Sequence, residues 1–152
     1  STWTLTGFTA SATTYLTGWS GTTVSLTEAS IPTVSGTIFT FPTTGFWEIK
    51  MAHSFYIASS TACNIENITI AVQLSTDSGS SWTTMGGAFG NFYSPANDWF
   101  REQPNFLKVI DVQYVSTYRV RFESYVYGST GLYQTQGGGS NGETMFRKLG
   151  ET

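Results

Sequence analysis

The chain is poor in charge. Only 11% of its 152 residues are Asp, Glu, Lys or Arg, against about 25% in an ordinary globular domain. Seven Lys plus Arg against ten acids leave a formal charge of −3. The basic footprint of a nucleic-acid binder is therefore missing, and so is a polybasic patch for a membrane surface. No run of 18 apolar residues is long enough to span a bilayer. The opening residues carry neither the basic region nor the apolar segment of a signal peptide. An initiator Met is also absent, as expected of a processed chain or of a domain cut from a longer one.

Reactive side chains are equally scarce. A single cysteine, Cys63, excludes an internal disulfide and reads as a small buried apolar residue. The single histidine, His53, reads as a core or subunit-contact residue between Met51 and Phe55. One His and one Cys cannot supply the usual zinc ligand set. No Gly-x-Ser-x-Gly elbow occurs, and nothing marks a Ser or Asp partner for His53. The glycine-rich stretch 137–142 lacks the Lys-Ser/Thr of a phosphate-binding loop and a following helix. Among the ten acids no pair is singled out for glycoside hydrolysis. Asp98 and Asp111 sit in no loop of alternating oxygen ligands, so a calcium site is not expected. The expectation is a protein with no catalytic residue, no metal and no cofactor.

Ser, Thr and aromatics fill the space. There are 18 Ser, 25 Thr, 16 Gly, 11 Phe, 8 Tyr and 5 Trp. Disordered chains are poor in aromatics and rich in charge, which excludes that class. Thr, Val, Ile and aromatics suit a pleated, half-buried surface. Residues 46–57 alternate strictly: Trp47, Ile49, Met51, His53, Phe55 and Ile57 on one face, Phe46, Glu48, Lys50, Ala52, Ser54 and Tyr56 on the other. Period two predicts a strand with one face buried. Residues 67–74 repeat it with Ile68, Ile70, Val72 and Leu74 inward. Residues 118–126 do so with Tyr118, Val120, Phe122, Ser124 and Val126 opposed to Arg119, Arg121, Glu123 and Tyr125. Weaker strands fall at 2–8, 24–26, 37–41, 82–86, 107–115 and 144–149, with room for one helical turn within 95–103. About nine short strands joined by turn-rich links, with no internal repeat, predict one all-β antiparallel sandwich or barrel.

Three local patterns stand out. Ser75-Thr-Asp77-Ser-Gly79-Ser-Ser-Trp82 resembles the Asp-box hairpin of sialidases and other propellers, where it is structural. Physically, Asp77 caps its own turn, Gly79 accepts a positive φ and Trp82 packs beneath. Asn67-Ile68-Thr69 is a glycosylation sequon inside a predicted strand. Residues 91–101 concentrate Phe92, Tyr93, Trp99 and Phe100 among Asn, Asp and Arg101, and read as a subunit-packing or ligand-binding loop.

Phe41-Pro42-Thr43-Thr44-Gly45-Phe46, leading into the first long strand, resembles the signature of the tumour necrosis factor and complement globular-head superfamily. The ending Thr144-Met-Phe146-Arg-Lys-Leu149-Gly resembles that family's last strand. Trp3-Thr-Leu-Thr at the start, combined with Phe39–Gly45 and the ending Arg147-Lys-Leu-Gly-Glu-Thr152, looks closer still to domains at the C-terminus of virion proteins of marine bacteriophages. The resemblance implies a TNF-like jelly roll of nine or ten strands over residues 1–152, assembling as a three-fold homotrimer. It implies a virion-surface head, serving as a fibre tip for host attachment or as capsid decoration, with other virion proteins and a host-surface glycan or protein as partners. It carries over no calcium site. From the residues themselves, Phe46, Tyr56, Tyr125 and Tyr127 are the expected trimer contacts, and Tyr93, Trp99, Arg101 and Trp19 the expected receptor or glycan contacts. The competing expectation is a monomeric carbohydrate-binding module of a secreted enzyme, with Trp19, Trp99 or Tyr93 as stacking platforms.

Overall fold

The computed structural model describes the backbone of residues 2–5, 8–10, 14–16, 19–22, 31–53, 55–58, 63–94, 99–102, 105–129, 133–135 and 142–152. Side chains are described at 15–16, 31–52, 69–90, 105–124 and 144–152. In chain order the strands are β1 (Thr2–Leu5), β2 (Phe8–Ala10), β3 (Thr14–Tyr15), β4 (Trp19–Thr22), β5 (Thr33–Ser35), β6 (Ile38–Thr40), β7 (Gly45–His53) and β8 (Phe55–Ala58). They continue with β9 (Cys63–Ser75), β10 (Thr83–Ser94), β11 (Trp99–Glu102), β12 (Asn105–Val112), β13 (Arg119–Ser129), β14 (Tyr133–Thr135) and β15 (Gly142–Gly150). No helix occurs among the described residues.

Among the described residues every pairing is antiparallel, and the strands form three sheets. A five-stranded sheet runs β12-β7-β15-β1-β4, and a six-stranded one β10-β9-β13-β6-β5 with β3 also on β13. The smaller third sheet runs β11-β8-β14-β2. The first and last strands are neighbours, with Thr2 opposite Met145.

One core joins the two larger sheets. Trp47, Ile49 and Met51 of β7, Ile110 and Val112 of β12 and Phe146 of β15 meet Ile70 and Val72 of β9, Val120 and Phe122 of β13 and Phe39 of β6. Those of β7, β9 and β13 belong to the inward sets of the alternating patterns. Phe39 anchors the rings, edge-on to Phe122 at 5.7 Å and tilted against Phe146 at 4.9 Å. Such arrangements place a ring's positive edge or an offset face against its neighbour, and add to the burial of area.

The Phe-Pro-x-x-Gly turn has a steric reason. Gly45 adopts φ +121, and a Cβ there would lie 2.3 Å from the carbonyl oxygen of Gly150. The turn is closed by the Trp47 indole N–H, which donates to the carbonyl of Thr43 at 3.1 Å. Only glycine lets the chain enter β7 so close to the end of β15.

The structure redraws several expected boundaries. The strand expected over 46–57 is two, β7 and β8, which pair in different sheets. β7 lies between β12 and β15, and β8 between β11 and β14. The expected strand over 2–8 is likewise split into β1 and β2. Of the stretch 95–103, expected to hold one helical turn, Trp99–Glu102 is strand, paired residue for residue with Phe55–Ala58. Ladder bonds to β8 satisfy that backbone in place of a local turn. Residues 95–98 and 103, the expected strand at 24–26 and the glycine-rich 137–141 lie outside the described residues.

Candidate functional site

Among the described residues, two surfaces carry the chemistry of a candidate site. The first is the outward face of the five-stranded sheet. Register sets its rows: Leu107, Lys50 and Met145 lie across one, Val109, Glu48 and Arg147 across the next, Asp111, Phe46 and Gly150 across a third. Leu149 sits between Lys148 and Gly150, where a bulge shifts the register of β15. Among its charged residues the face leaves large apolar ones open: Leu107 is 57% exposed, Val109 42% and Phe46 41%, and Leu149 at the bulge is 48% exposed. Its middle holds an ion pair. Arg147 Nη2 lies 3.0 Å from Glu48 Oε1 and donates to Oε2 at 3.1 Å. The Glu48 side chain is mostly covered, whereas Arg147 is mostly open. Opposite Phe46, Asp111 Oδ1 is buried with no hydrogen-bond partner among the described residues.

The second surface joins the 75–82 turn to the outer face of the six-stranded sheet. Asp77 organises the turn. Its Oδ1 accepts from the Ser81 backbone N–H at 2.9 Å and from the Ser75 hydroxyl at 2.7 Å, and its Oδ2 accepts from the Ser81 hydroxyl at 2.5 Å. The Ser81 hydroxyl and backbone bonds, with that from Ser75, hold its carboxyl down at about 2. Ser78 and Gly79 have φ +62 and +96, and the Trp82 indole N–H donates to the Gly79 carbonyl at 3.0 Å. The turn also docks on the β12–β13 connection, with Ser78 N donating to Thr117 O at 2.9 Å. Arg119 stiffens that connection through the carbonyls of Val115, Ser116 and Tyr118.

Arg121 lies at the centre of this surface. Its guanidinium stands over the Tyr15 ring at 3.9 Å and the Trp82 ring at 4.1 Å. Its Nε donates to Gln73 Oε1 at 2.7 Å. The Gln73 amide nitrogen in turn donates to Glu123 Oε2 and, at 3.4 Å, to Thr84 Oγ1. Strands β3, β9, β10 and β13 thus each supply a member, and Trp82 comes from the turn.

The residues expected from the sequence are spread over all three sheets. Phe46 lies in the five-stranded sheet, Tyr56 in β8 of the smallest, and Tyr125 and Tyr127 in β13 of the six-stranded one. Arg101 pairs directly with Tyr56, and Trp99 with Ala58, so a member of the expected contact loop and an expected trimer residue are neighbours. Tyr93 is in β10 opposite Asn64, and Trp19 in β4 opposite Leu5. The side chains of Trp19, Tyr56, Tyr93, Trp99, Arg101, Tyr125 and Tyr127 lie outside the described residues, as do those of His53, Cys63 and Asn67. Asp98 lies wholly outside them. Sequence reasoning missed Leu107, Val109 and Leu149. The signal was an apolar residue at nearly every position of 106–110, too many for one buried face. It placed Arg121 on a polar face without giving it a role.

The chain matches no family model and no curated protein sequence. It does match solved structures. Eiger TNF from S. frugiperda superposes with a TM-score of 0.61 at 12% identity, over 99% of this chain and 93% of that one. Murine APRIL at pH 5.0 gives 0.57 at 12% identity, over 97% of both chains. The likeness is one of fold: an all-β antiparallel jelly roll of the tumour necrosis factor type.

Proposed function

We propose that this jelly roll is a non-enzymatic head that works as a homotrimer on the surface of a bacteriophage particle. There it attaches to the host surface as a fibre tip or decorates the capsid. The observation that carries self-association is the set of exposed apolar residues on the outward face of the five-stranded sheet, Phe46, Leu107 and Val109, with Leu149 exposed at the bulge beside it. A face of that kind is stabilised by burial against a partner. A second copy is the occupant that the family resemblance implies. The phage setting rests on the resemblance carried by Trp3-Thr-Leu-Thr, Phe39–Gly45 and the ending Arg147–Thr152. Three copies on one axis repeat each contact three times, so weak single sites add to firm attachment.

Light scattering after size exclusion, at two concentrations, tests the assembly. The expected mass is about 50 kDa, three times the 16.6 kDa protomer, and it survives dilution. A stable mass of one protomer overturns the trimer and favours the carbohydrate-binding module. Gold-labelled antibody on purified virions tests the setting. Label at fibre tips or over the capsid supports it, and unlabelled virions overturn it.

A further inference from the structure

Arg121 is a cation with no ion-pair partner among the described residues. The ion pairs among the described residues are Glu48–Arg147 and Lys148–Glu151. Glu123 shares its strand face, yet its Oε2 is taken by the Gln73 amide. Arg121 spends its Nε on Gln73 Oε1, and its guanidinium stands over the Tyr15 and Trp82 rings. That leaves the Nη1 and Nη2 donors with no acceptor among the described residues. Neither nitrogen is among the buried atoms without a partner, so both stay open to solvent and to an incoming anion. The three restraints also fix the plane of the fork, so little side-chain freedom remains to be lost on binding.

We infer that Arg121, held between Tyr15 and Trp82, is an oxyanion-binding fork for the carboxylate of an acidic saccharide. The fork presents two parallel N–H groups, which matches a planar carboxylate. Its surroundings suit a sugar: Tyr15 is 39% exposed, which leaves ring surface for a pyranose, and the hydroxyl of exposed Thr84 lies beside Gln73. The biological sense of the site rests on the reading of the chain as an attachment head. Its chemistry does not.

The test is calorimetric titration of the full chain with an oligosaccharide containing glucuronic acid. Parallel arms use the carboxyl-reduced neutral oligosaccharide, sodium acetate and an oligoglutamate peptide. The uronate saccharide is expected to bind best, with affinity falling as salt rises. The neutral saccharide is expected to lose about tenfold or more. Arg121→Gln is expected to abolish the difference between the charged and neutral sugars, and Arg121→Lys to restore it only in part, because a point charge lacks the fork. Equal binding of charged and neutral saccharides by the wild-type chain overturns the proposal, as does no binding of either. Oligoglutamate binding as tightly as the uronate overturns the saccharide assignment, as acetate alone would. Light scattering on the same samples keeps the outcomes separable, since the mass reports on the trimer and the titration on the fork.

Discussion

Asp77 shows how one exposed carboxylate fixes a turn. In the folded chain it titrates at about 2 against an ordinary 3.8. A carboxyl with a depressed folded value contributes stability above its unfolded value and loses it as the pH falls through the folded one. The hairpin's share of stability is therefore complete above about pH 4 and declines toward pH 2. Asp77→Asn removes this dependence. Thermal midpoints taken from pH 5 to pH 2 should fall less steeply for the variant, with its midpoint lower at neutral pH. This arrangement was readable in the sequence, because every partner of the carboxylate lies within four residues. The Arg121 stack was not. Tyr15, Gln73, Trp82 and Arg121 are far apart in the chain, and only the ordering β3-β13-β9-β10 brings them to one face. Gly45 falls between the two cases. The sequence marks a turn, but the reason for glycine is a carbonyl from the last strand. Gly45→Ala combines that clash with a positive φ and should cost at least about 2 kcal/mol in chemical denaturation.

Strands that bury one face announced themselves. β7, β9 and β13 appear where period two was strict, and their inward residues, among them Ile49, Val72 and Phe122, are the ones the pattern selected. Where one continuous pattern crosses from one sheet to another, as between β7 and β8, alternation alone carries no sign of the change of partners. β11 was unreadable for a related reason: its four residues gain strand geometry only from pairing with β8. β15 has the most consequence for stability. It lies between β7 and β1, and its Phe146 touches Phe39, Phe41 and Phe122. Phe146→Ala should cost about 3–5 kcal/mol, because the cavity is lined from both large sheets and closes poorly. Urea unfolding followed by tryptophan fluorescence measures the loss.

For the whole molecule, the jelly-roll architecture was legible from both ends of the chain, while the apolar outer face was not. Patterning says which face of a strand is apolar, and β12 is apolar on both. If Leu107 and Val109 bury against a second copy, a charge there disrupts assembly and spares the fold. Leu107→Glu should shift the mass from about three protomers to one at micromolar concentration, with the strand signal of circular dichroism unchanged. Retention of the wild-type mass would move the contact elsewhere. The placement of β1 beside β15 has a mechanical outcome as well. The strands are antiparallel with Thr2 opposite Met145, so Thr2 and Gly150 point toward the same side of the sheet. A load between the two ends peels the pair apart one hydrogen bond at a time. A load between Thr2 and a cysteine handle at Gly142 instead shears all of those bonds together. Optical-tweezer rupture should therefore need a clearly higher force along the second axis than along the first.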